Sequence, residues 1–154
     1  MSITVWRLVQ TAFGPTAFDG AGAKKNPGRW NLDDIPIVYA AGSAALAVLE
    51  VLVGVDQWAF LEDYNLIPAR IDESRVALMT AEMLPPDWRS IPCAPSTRAF
   101  GTAWARSRRS VALAVPSAVL PLETIYLLNP RHPDFASVEI GRPVPFSLDP
   151  RLRR

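Results

Sequence analysis

The stretch "IPIVYAAGSAALAVLEVLVG", residues 35–54, decides the fold because it holds a short strand and a helix, with the signals that separate them. Segment 35–41 is rich in β-branched residues and predicts a strand. Ser43 is a typical helix N-cap, and the Ala- and Leu-rich run after it predicts a helix that Gly54 ends. This helix is apolar on nearly every side, so we expect it to be buried.

The segments around this stretch predict mostly strands. Only one other helix is expected, at 96–109, with Ser96 or Thr97 as its cap. Segment 11–34 holds several glycines and few aliphatic residues, which predicts a long loop of the kind that often carries function. Strands are expected at 3–10, 64–72, 75–80, 110–116 and 123–130, followed by two short extended pieces before the C-terminus.

Strands and helices do not alternate along the chain as a doubly wound parallel sheet requires. The 15 prolines are scattered between the predicted strands and form no linker. We therefore predict a single α+β domain over residues 1–154, with a largely antiparallel sheet that prolines interrupt.

Composition excludes several classes of protein. Hydrophobic residues make up 49% of the 154 residues and charged residues 20%, which suits one well-filled core. The net charge of +1 lacks the basic excess of most duplex-DNA binders, so we expect no direct contact with nucleic acid. One cysteine, Cys93, and one histidine, His132, exclude an internal disulfide and a zinc site built from several Cys or His ligands, and we expect no metal.

The apolar runs are too short to cross a membrane, and the longest one contains Glu50. The first residues also lack the basic-then-apolar order of a signal peptide. We therefore expect a cytoplasmic protein that does not bind membranes.

The common motifs for phosphate loops, nucleophile elbows and zinc proteases do not occur in the sequence. What stands out instead is Glu50, a carboxylate in the middle of an apolar helix. Burying an unpaired carboxylate is costly. Glu50 therefore lies either on a thin exposed stripe of the helix or at the edge of a cleft, as a catalytic group.

A second unusual feature is "NPGRWN", residues 26–31. Arg29 directly follows a predicted Pro27–Gly28 turn, and its planar guanidinium suits a phosphate or carboxylate, although a solvated surface charge is the commoner role. Trp30 is expected to anchor the loop in the core. Tyr39 is either a half-buried strand aromatic or a ring that stacks on a flat ligand. Ser117, after "LAVP", is either a turn residue or a donor to a ligand.

Six blocks taken together resemble the RES-domain family, the toxins of bacterial toxin–antitoxin pairs whose antitoxins are Xre/ParS-like. The resemblance covers nearly the whole chain in the expected order, although Pro27 stands where the family often has a second glycine. The blocks are "VWRLVQTAFGPTAFDGAGAKKNPGRWN", "IVYAAGSAALAVLEVLV", "LPPDWR", "STRAFGTAWARSRRSVALAVPSAV", "YLLNPRHPDF" and "PFSLDPRL".

By block position, the resemblance matches the family's named Arg, Glu and Ser to Arg29, Glu50 and Ser117, and its tyrosine to Tyr39. It implies a fold similar to ADP-ribosyltransferases, with a split, mostly antiparallel sheet and a cleft for NAD+ as substrate. Gly28 and Trp30 would then shape the NAD+ loop, and Arg7 in "VWRLV" is a second candidate for contact with an anion.

The implied reaction breaks the bond between nicotinamide and ribose, with water or inorganic phosphate as acceptor and no cofactor beyond NAD+. Glu50 would stabilise the oxocarbenium-like centre that forms, as carboxylates do in glycoside hydrolysis. Tyr39 would stack on nicotinamide, Arg29 would pair with phosphate groups, and Ser117 would orient the nicotinamide amide or a phosphate. A cognate antitoxin is expected to cover the cleft.

Two other interpretations remain open from the sequence. The same four residues suit a protein mono-ADP-ribosyltransferase toxin, which would leave labelled ADP-ribose on a protein. A non-catalytic domain that acts only through its antitoxin complex would leave NAD+ unchanged in the cell.

Overall fold

The sheet of the computed structural model, which describes residues 1–153, is antiparallel at every pairing except one. It has eight strands in the order β4-β5-β6-β2-β1-β3-β7, and β8 also pairs with β3. The α+β class and the mostly antiparallel sheet are as predicted. The strands are β1 (Ser2–Gln10), β2 (Val38–Ala41), β3 (Tyr64–Asp72), β4 (Val76–Leu78), β5 (Ala112–Pro116), β6 (Thr124–Leu128), β7 (Glu139–Ile140) and β8 (Val144–Phe146).

The exception is the parallel pair β4 and β5, which a crossover containing a helix connects. Parallel neighbours need such a crossover because a tight turn reverses the chain. The helices are α1 (Ala21–Lys25), α2 (Ala44–Leu52) and α3 (Pro95–Ser107). No helix within residues 1–153 combines the length and the apolar character needed to cross a membrane.

The helix boundaries test the predicted caps. Ser43 caps α2 as predicted, since its Oγ accepts from the backbone N–H of Leu46 at 3.1 Å. The predicted Ser96 or Thr97 cap of α3 is wrong. The cap is Ala94, without a side-chain bond, and Pro95 opens the helix, where its missing N–H costs nothing and its φ is already helical.

Two further differences lie in the region that opens the cleft described below. The short helix α1 and a 3-10 turn at Thr11–Thr16 interrupt the predicted loop 11–34. The predicted strand 35–41 is paired only from Val38 onward. Pro36 has no backbone N–H to donate to a ladder, so the chain joins the sheet after it.

Two cores cover the two faces of the sheet. One contains residues of α2 and α3 and the indole of Trp30. The other includes Ala17 and Phe18, and Phe135 packs against it. Adjacent residues in strand β6 illustrate the alternation, since Leu127 belongs to the first core and Leu128 to the second. The first core is the one that carries the cleft.

The burial predicted for α2 is only half correct. Leu46 and Ala47 are buried, but Val53 just after the helix is 62% exposed. The apolar sequence of this segment therefore did not mean that its side chains are buried on every side. The exposed side allows Glu50, in the last turns of α2, to reach solvent from an otherwise apolar helix.

Candidate active site

The cleft forms where strands β1 and β2 separate. Along its other edge β1 pairs with β3 at nine positions, but it pairs with β2 at one, Trp6 opposite Ala41. A side chain spans the gap instead. Arg7 Nη1 donates to the carbonyl oxygen of Tyr39 at 2.8 Å, and Nε donates to that of Ala17 at 2.7 Å. The guanidinium thus replaces part of the missing backbone ladder.

The cleft has two lobes, of about 350 and about 200 Å³, and the larger lobe alone lies within the range of small-molecule sites. Both lobes are lined by Arg7, Tyr39, Glu50 and Ile125. The loop residues Gly28, Arg29 and Trp30 line the larger lobe, together with Gly22, Ala23, Asn26 and Ala118. The smaller lobe is completed by Trp6, Leu8, Ala40, Ala41, Ala47 and Val51.

Glu50 and Ser117 meet at the junction of the lobes. The Ser117 hydroxyl donates to Glu50 Oε1 at 2.6 Å, and Ser117 is fully buried. Ser117 Oγ also accepts from the backbone N–H groups of Val119 and Leu120 at 3.1 and 3.0 Å. A serine hydroxyl has one proton and two lone pairs, so its capacity is filled.

This geometry changes the role expected for Ser117. Its proton is committed to Glu50, so the expectation that it donates to nicotinamide or phosphate does not fit. Ser117 instead fixes the orientation of the carboxylate. Glu50 Oε2 has no hydrogen-bond partner among residues 1–153 and remains available to a ligand.

A second bond fastens the turn that carries Ser117. Ser43 at the start of α2 donates through Oγ to Glu123 Oε1 at 2.7 Å. The carbonyl of Glu123 accepts from the backbone N–H of Ser117 at 2.9 Å. The 117–123 turn is therefore attached to α2 at both ends, which keeps Ser117 in register with Glu50.

Tyr39 lines both lobes, but its hydroxyl is occupied. It donates to Asn31 Oδ1 at 2.6 Å and accepts from the backbone N–H of Trp30 at 3.0 Å. Burial raises the pKa of Tyr39 well above its usual range. The group is therefore a neutral phenol at physiological pH, and what it offers a ligand is its ring.

Gly28 is required by a close approach. A Cβ at this position would lie 2.8 Å from Tyr39 Cζ and from its hydroxyl oxygen. The only glycine with a left-handed φ among the described residues is Gly20. The loop therefore uses Gly28 to lie against the tyrosine ring rather than to make an unusual turn.

Among residues 1–153, Arg29 is held through one of its nitrogens. Its Nη1 donates to the carbonyls of Ser90 at 2.8 Å and Trp88 at 3.1 Å. The guanidinium has five N–H groups, so Nε and Nη2 remain free for an anion. The segment around Ser90 also reaches the other wall of the cleft, since Arg89 Nε donates to the carbonyl of Ala118 at 2.8 Å.

Arg7 is a cation without a bonded carboxylate. Within residues 1–153 it makes no ion pair, and both of its acceptors are carbonyls. Burial lowers the pKa of Arg7, and the charge of Asp19 partly opposes this effect. A partly buried charge of this kind is stabilised by an anionic ligand.

Trp30 lies in the core, 3% exposed. Its ring meets Phe100 edge to face, with ring centroids 6.1 Å apart. Helix α3 touches the backbone of Trp30 at Gly101, where an added Cβ would lie 1.9 Å from the Trp30 carbonyl oxygen. The loop is thus pinned to α3 by contacts that leave no space between them.

Several structural residues of the site were not singled out from the sequence. Asn31, Glu123 and Arg98 bond the groups around the cleft, and Arg98 Nε donates to the carbonyl of Gly28 at 3.2 Å. Asn31 belongs to the segment "NPGRWN", whose composition already indicated a functional loop, so the sequence offered a reason to consider it. Nothing in the sequence pointed to Glu123, because its partner Ser43 lies 80 positions away.

Known proteins resemble this chain over nearly its whole length. The family model for the RES domain matches residues 4–149. "Toxin Res" of Yersinia enterocolitica is 35% identical over 150 residues, covering 97% of this chain and 99% of that protein. The "Prs ADP-ribosylating toxin" of Sphingobium is 36% identical over 159 residues, covering 100% and 99%.

A solved structure shares the fold. The Mycobacterium tuberculosis MbcT–MbcA toxin–antitoxin complex contains a chain that aligns with a TM-score of 0.71 at 18% identity, covering 96% of this chain and 85% of that one. The alignment shows that the two chains share a fold. By the family match and the full-length relatives, this chain belongs to the RES-domain family.

Proposed function

We propose that this chain is the toxin of a toxin–antitoxin pair and that it degrades NAD+ by breaking the bond between nicotinamide and ribose. The observation that carries the proposal is the Glu50 carboxylate, which Ser117 orients at 2.6 Å where the two lobes meet. Full-length relatives named as toxins support the same proposal.

The position of Glu50 suits the reaction. As the bond breaks, the nicotinamide takes the bonding electrons and leaves as a neutral molecule, while positive charge builds at the ribose C1″. A fixed carboxylate next to that carbon stabilises the charge. Because Oε1 is held by Ser117, Oε2 is the oxygen that faces the ribose or its hydroxyls.

The two arginines suit the anionic part of NAD+. Arg29 and Arg7 both line the larger lobe, and both have N–H groups left for phosphate oxygens. The ring of Tyr39 lies between the lobes as a surface for the nicotinamide. We propose that the reaction needs no metal or other cofactor, because a neutral leaving group requires no Lewis acid.

The acceptor is either water, giving ADP-ribose, or inorganic phosphate, giving ADP-ribose 1″-phosphate. In each case an acceptor oxygen bonds to C1″ as the bond from C1″ to nicotinamide breaks, and a water acceptor releases one proton to solvent. Transfer to a protein side chain is a second candidate, favoured by the name of the Sphingobium relative, an ADP-ribosylating toxin.

We further propose that an antitoxin encoded beside this chain covers the cleft entrance. The likeness to a chain solved in a toxin–antitoxin complex supports such a partner. The antitoxin would carry the contact with DNA, which agrees with the net charge of +1 here. The complex would be cytoplasmic, where NAD+ is found.

The test is to incubate the purified chain with NAD+, with and without phosphate, and to identify the products by mass. Free nicotinamide with ADP-ribose indicates a glycohydrolase, and ADP-ribose 1″-phosphate that forms only with phosphate indicates a phosphorylase. Labelled NAD+ in a cell extract would show transfer to a protein. NAD+ that survives all three conditions would contradict the proposal and favour a non-catalytic domain.

A further inference from the structure

Asn31 is a fully buried polar residue directly after Trp30. It lines neither lobe itself but bonds Gly28 and Tyr39, which do. A carboxamide is buried at this depth only when its polar atoms are paired, so its partners show what it holds. Its side chain makes five contacts within hydrogen-bond distance, and three of the partners, Ala23, Gly28 and Tyr39, line the larger lobe.

The oxygen of Asn31 holds the two groups that face a ligand. Oδ1 accepts from the Tyr39 hydroxyl at 2.6 Å and from the backbone N–H of Gly28 at 2.9 Å. The Gly28 peptide immediately precedes Arg29. One acceptor atom therefore sets the distance between Tyr39 and the loop segment Gly28–Arg29.

The nitrogen of Asn31 fixes the direction of that acceptor. Nδ2 lies within hydrogen-bond distance of three carbonyls, those of Ala23 at 2.7 Å, Ile35 at 3.1 Å and Leu32 at 3.2 Å, so one of its two protons is shared between two acceptors. Three carbonyls at the nitrogen accept and cannot donate. Turning the carboxamide over would place its oxygen against them, so Oδ1 stays directed at Tyr39.

We infer that Asn31 is a positioning residue for NAD+ cleavage, which holds the Tyr39 ring and the Arg29 loop in one geometry without touching the substrate. This inference rests on the proposed function. Small displacements of groups that orient a substrate reduce turnover strongly. The competing explanation is that Asn31 only stabilises the fold.

Asn129 is a matched control for the structural explanation. It is also buried, 1% exposed, with Nδ2 bonded to the Ala105 carbonyl at 2.8 Å and Oδ1 bonded to the Arg131 N–H at 3.0 Å. Neither of these partners lines a lobe of the cleft, whereas Gly28 and Tyr39, which Asn31 bonds, line the larger one. Both Asn→Ala changes remove a buried carboxamide, but only one of them disturbs Tyr39.

The experiment compares Asn31→Ala, Asn129→Ala, Tyr39→Phe and the double variant Asn31→Ala/Tyr39→Phe by Tm and by kcat and KM for NAD+. Both single Asn variants should lower Tm. Asn31→Ala should lower kcat/KM by about ten- to a hundredfold, and Asn129→Ala should stay within about twofold of wild type because it shares no partner with the site. In the Tyr39→Phe background the loss from Asn31→Ala should be smaller, since Tyr39→Phe already removes the hydrogen bond between residues 39 and 31.

An equal loss from Asn31→Ala in both backgrounds, or wild-type kcat/KM in a folded Asn31→Ala, would overturn the inference. If Asn31→Ala does not fold, Tyr39→Phe removes the same bond from the other side, and unchanged kcat and KM in that variant would also overturn it.

A readout without turnover separates this inference from the proposed function. The chain has three tyrosines, so NMR spectra with labelled tyrosine rings allow the Tyr39 signal to be assigned with Tyr39→Phe. That signal should shift in Asn31→Ala and not in Asn129→Ala. A wild-type chain that leaves NAD+ intact would contradict the proposed function, while an unmoved Tyr39 signal would contradict the positioning role.

Discussion

The two edges of strand β1 are paired to very different extents. Toward β3 the strand forms nine consecutive pairs, from Ser2 opposite Asp72 to Gln10 opposite Tyr64. Toward β2 it forms one pair, and the guanidinium of Arg7 spans the rest. One strand thus has a scaffold edge, toward β3, and an open edge, toward β2.

This difference shows how one strand can border a cleft on one edge while backbone pairing on its other edge keeps the sheet intact. The scaffold edge is fixed by backbone bonds that nearly any side chain allows. The open edge depends on particular side chains, because Arg7 makes the connection to β2 that a ladder makes elsewhere. Tyr39 and Asn31 then join β2 to the loop that lines the larger lobe. Substitutions should therefore have large effects at the open edge and small ones at the scaffold edge.

The largest effect should come from Glu50, which faces the open edge. Glu50→Gln keeps the shape and the acceptor for Ser117 but removes the charge that stabilises the ribose cation. We expect the variant to fold normally and to lose NAD+ cleavage by a factor on the order of a thousand. Nicotinamide release measured by mass would show this.

Glu123→Gln is the matched control, since Glu123 accepts from Ser43 at the far end of the same turn. It should lose activity by about tenfold at most, because a neutral acceptor replaces a charged one. Full activity in a folded Glu50→Gln would remove Glu50 from the catalytic role.

An intermediate effect is expected from Arg7, the side chain that bridges the open edge. Arg7→Met removes the charge and both bonds to carbonyls, so KM for NAD+ should rise by about ten- to a hundredfold and Tm should fall. Arg7→Lys keeps the charge without the fork. Its KM should lie between those of the wild type and the Met variant.

The comparison of Lys with Met separates charge from bridging, and steady-state kinetics with thermal melts measure both. If the two variants raise KM equally, Arg7 acts on the geometry of the split and does not contact an anion. If neither raises KM, Arg7 has no role in binding.

The smallest effect should come from the scaffold side. Arg70 on β3 and Glu139 on β7 form an ion pair at 2.8 Å, with side chains 59% and 67% exposed. Exposed pairs contribute about 0.2–1 kcal/mol, so Arg70→Met should lower the free energy of unfolding by no more than that and leave NAD+ turnover unchanged. Urea unfolding would measure it, and a loss of turnover would contradict the division between the two edges.

The fold was predictable where local chemistry determines it. Strand 64–72 was predicted from its apolar residues, and the Ser43 cap from N-cap preference. The α3 cap failed because Pro95, one position earlier, fits the first helical turn without any side-chain bond. The split between β1 and β2 left no local signal, since strand pairing depends on partners far apart in sequence.

The site was predictable in its residue types but not in its connections. The resemblance brought Arg29, Tyr39, Glu50 and Ser117 forward, and the structure places Tyr39, Glu50 and Arg29 on one cleft, with Ser117 bonded to Glu50 behind them. The sequence could not show that the Ser117 hydroxyl is already filled. That result needs the positions of two backbone N–H groups in the following turn.

The contact between Gly101 and Trp30 has a genetic consequence. Every missense change at a glycine codon adds at least a Cβ, and at residue 101 this atom would fall 1.9 Å from a backbone oxygen of the cleft loop. If the chain is toxic, cells that escape it by mutation should often carry changes at Gly101. A selection for survivors would then map the active site through a residue that takes no part in the chemistry.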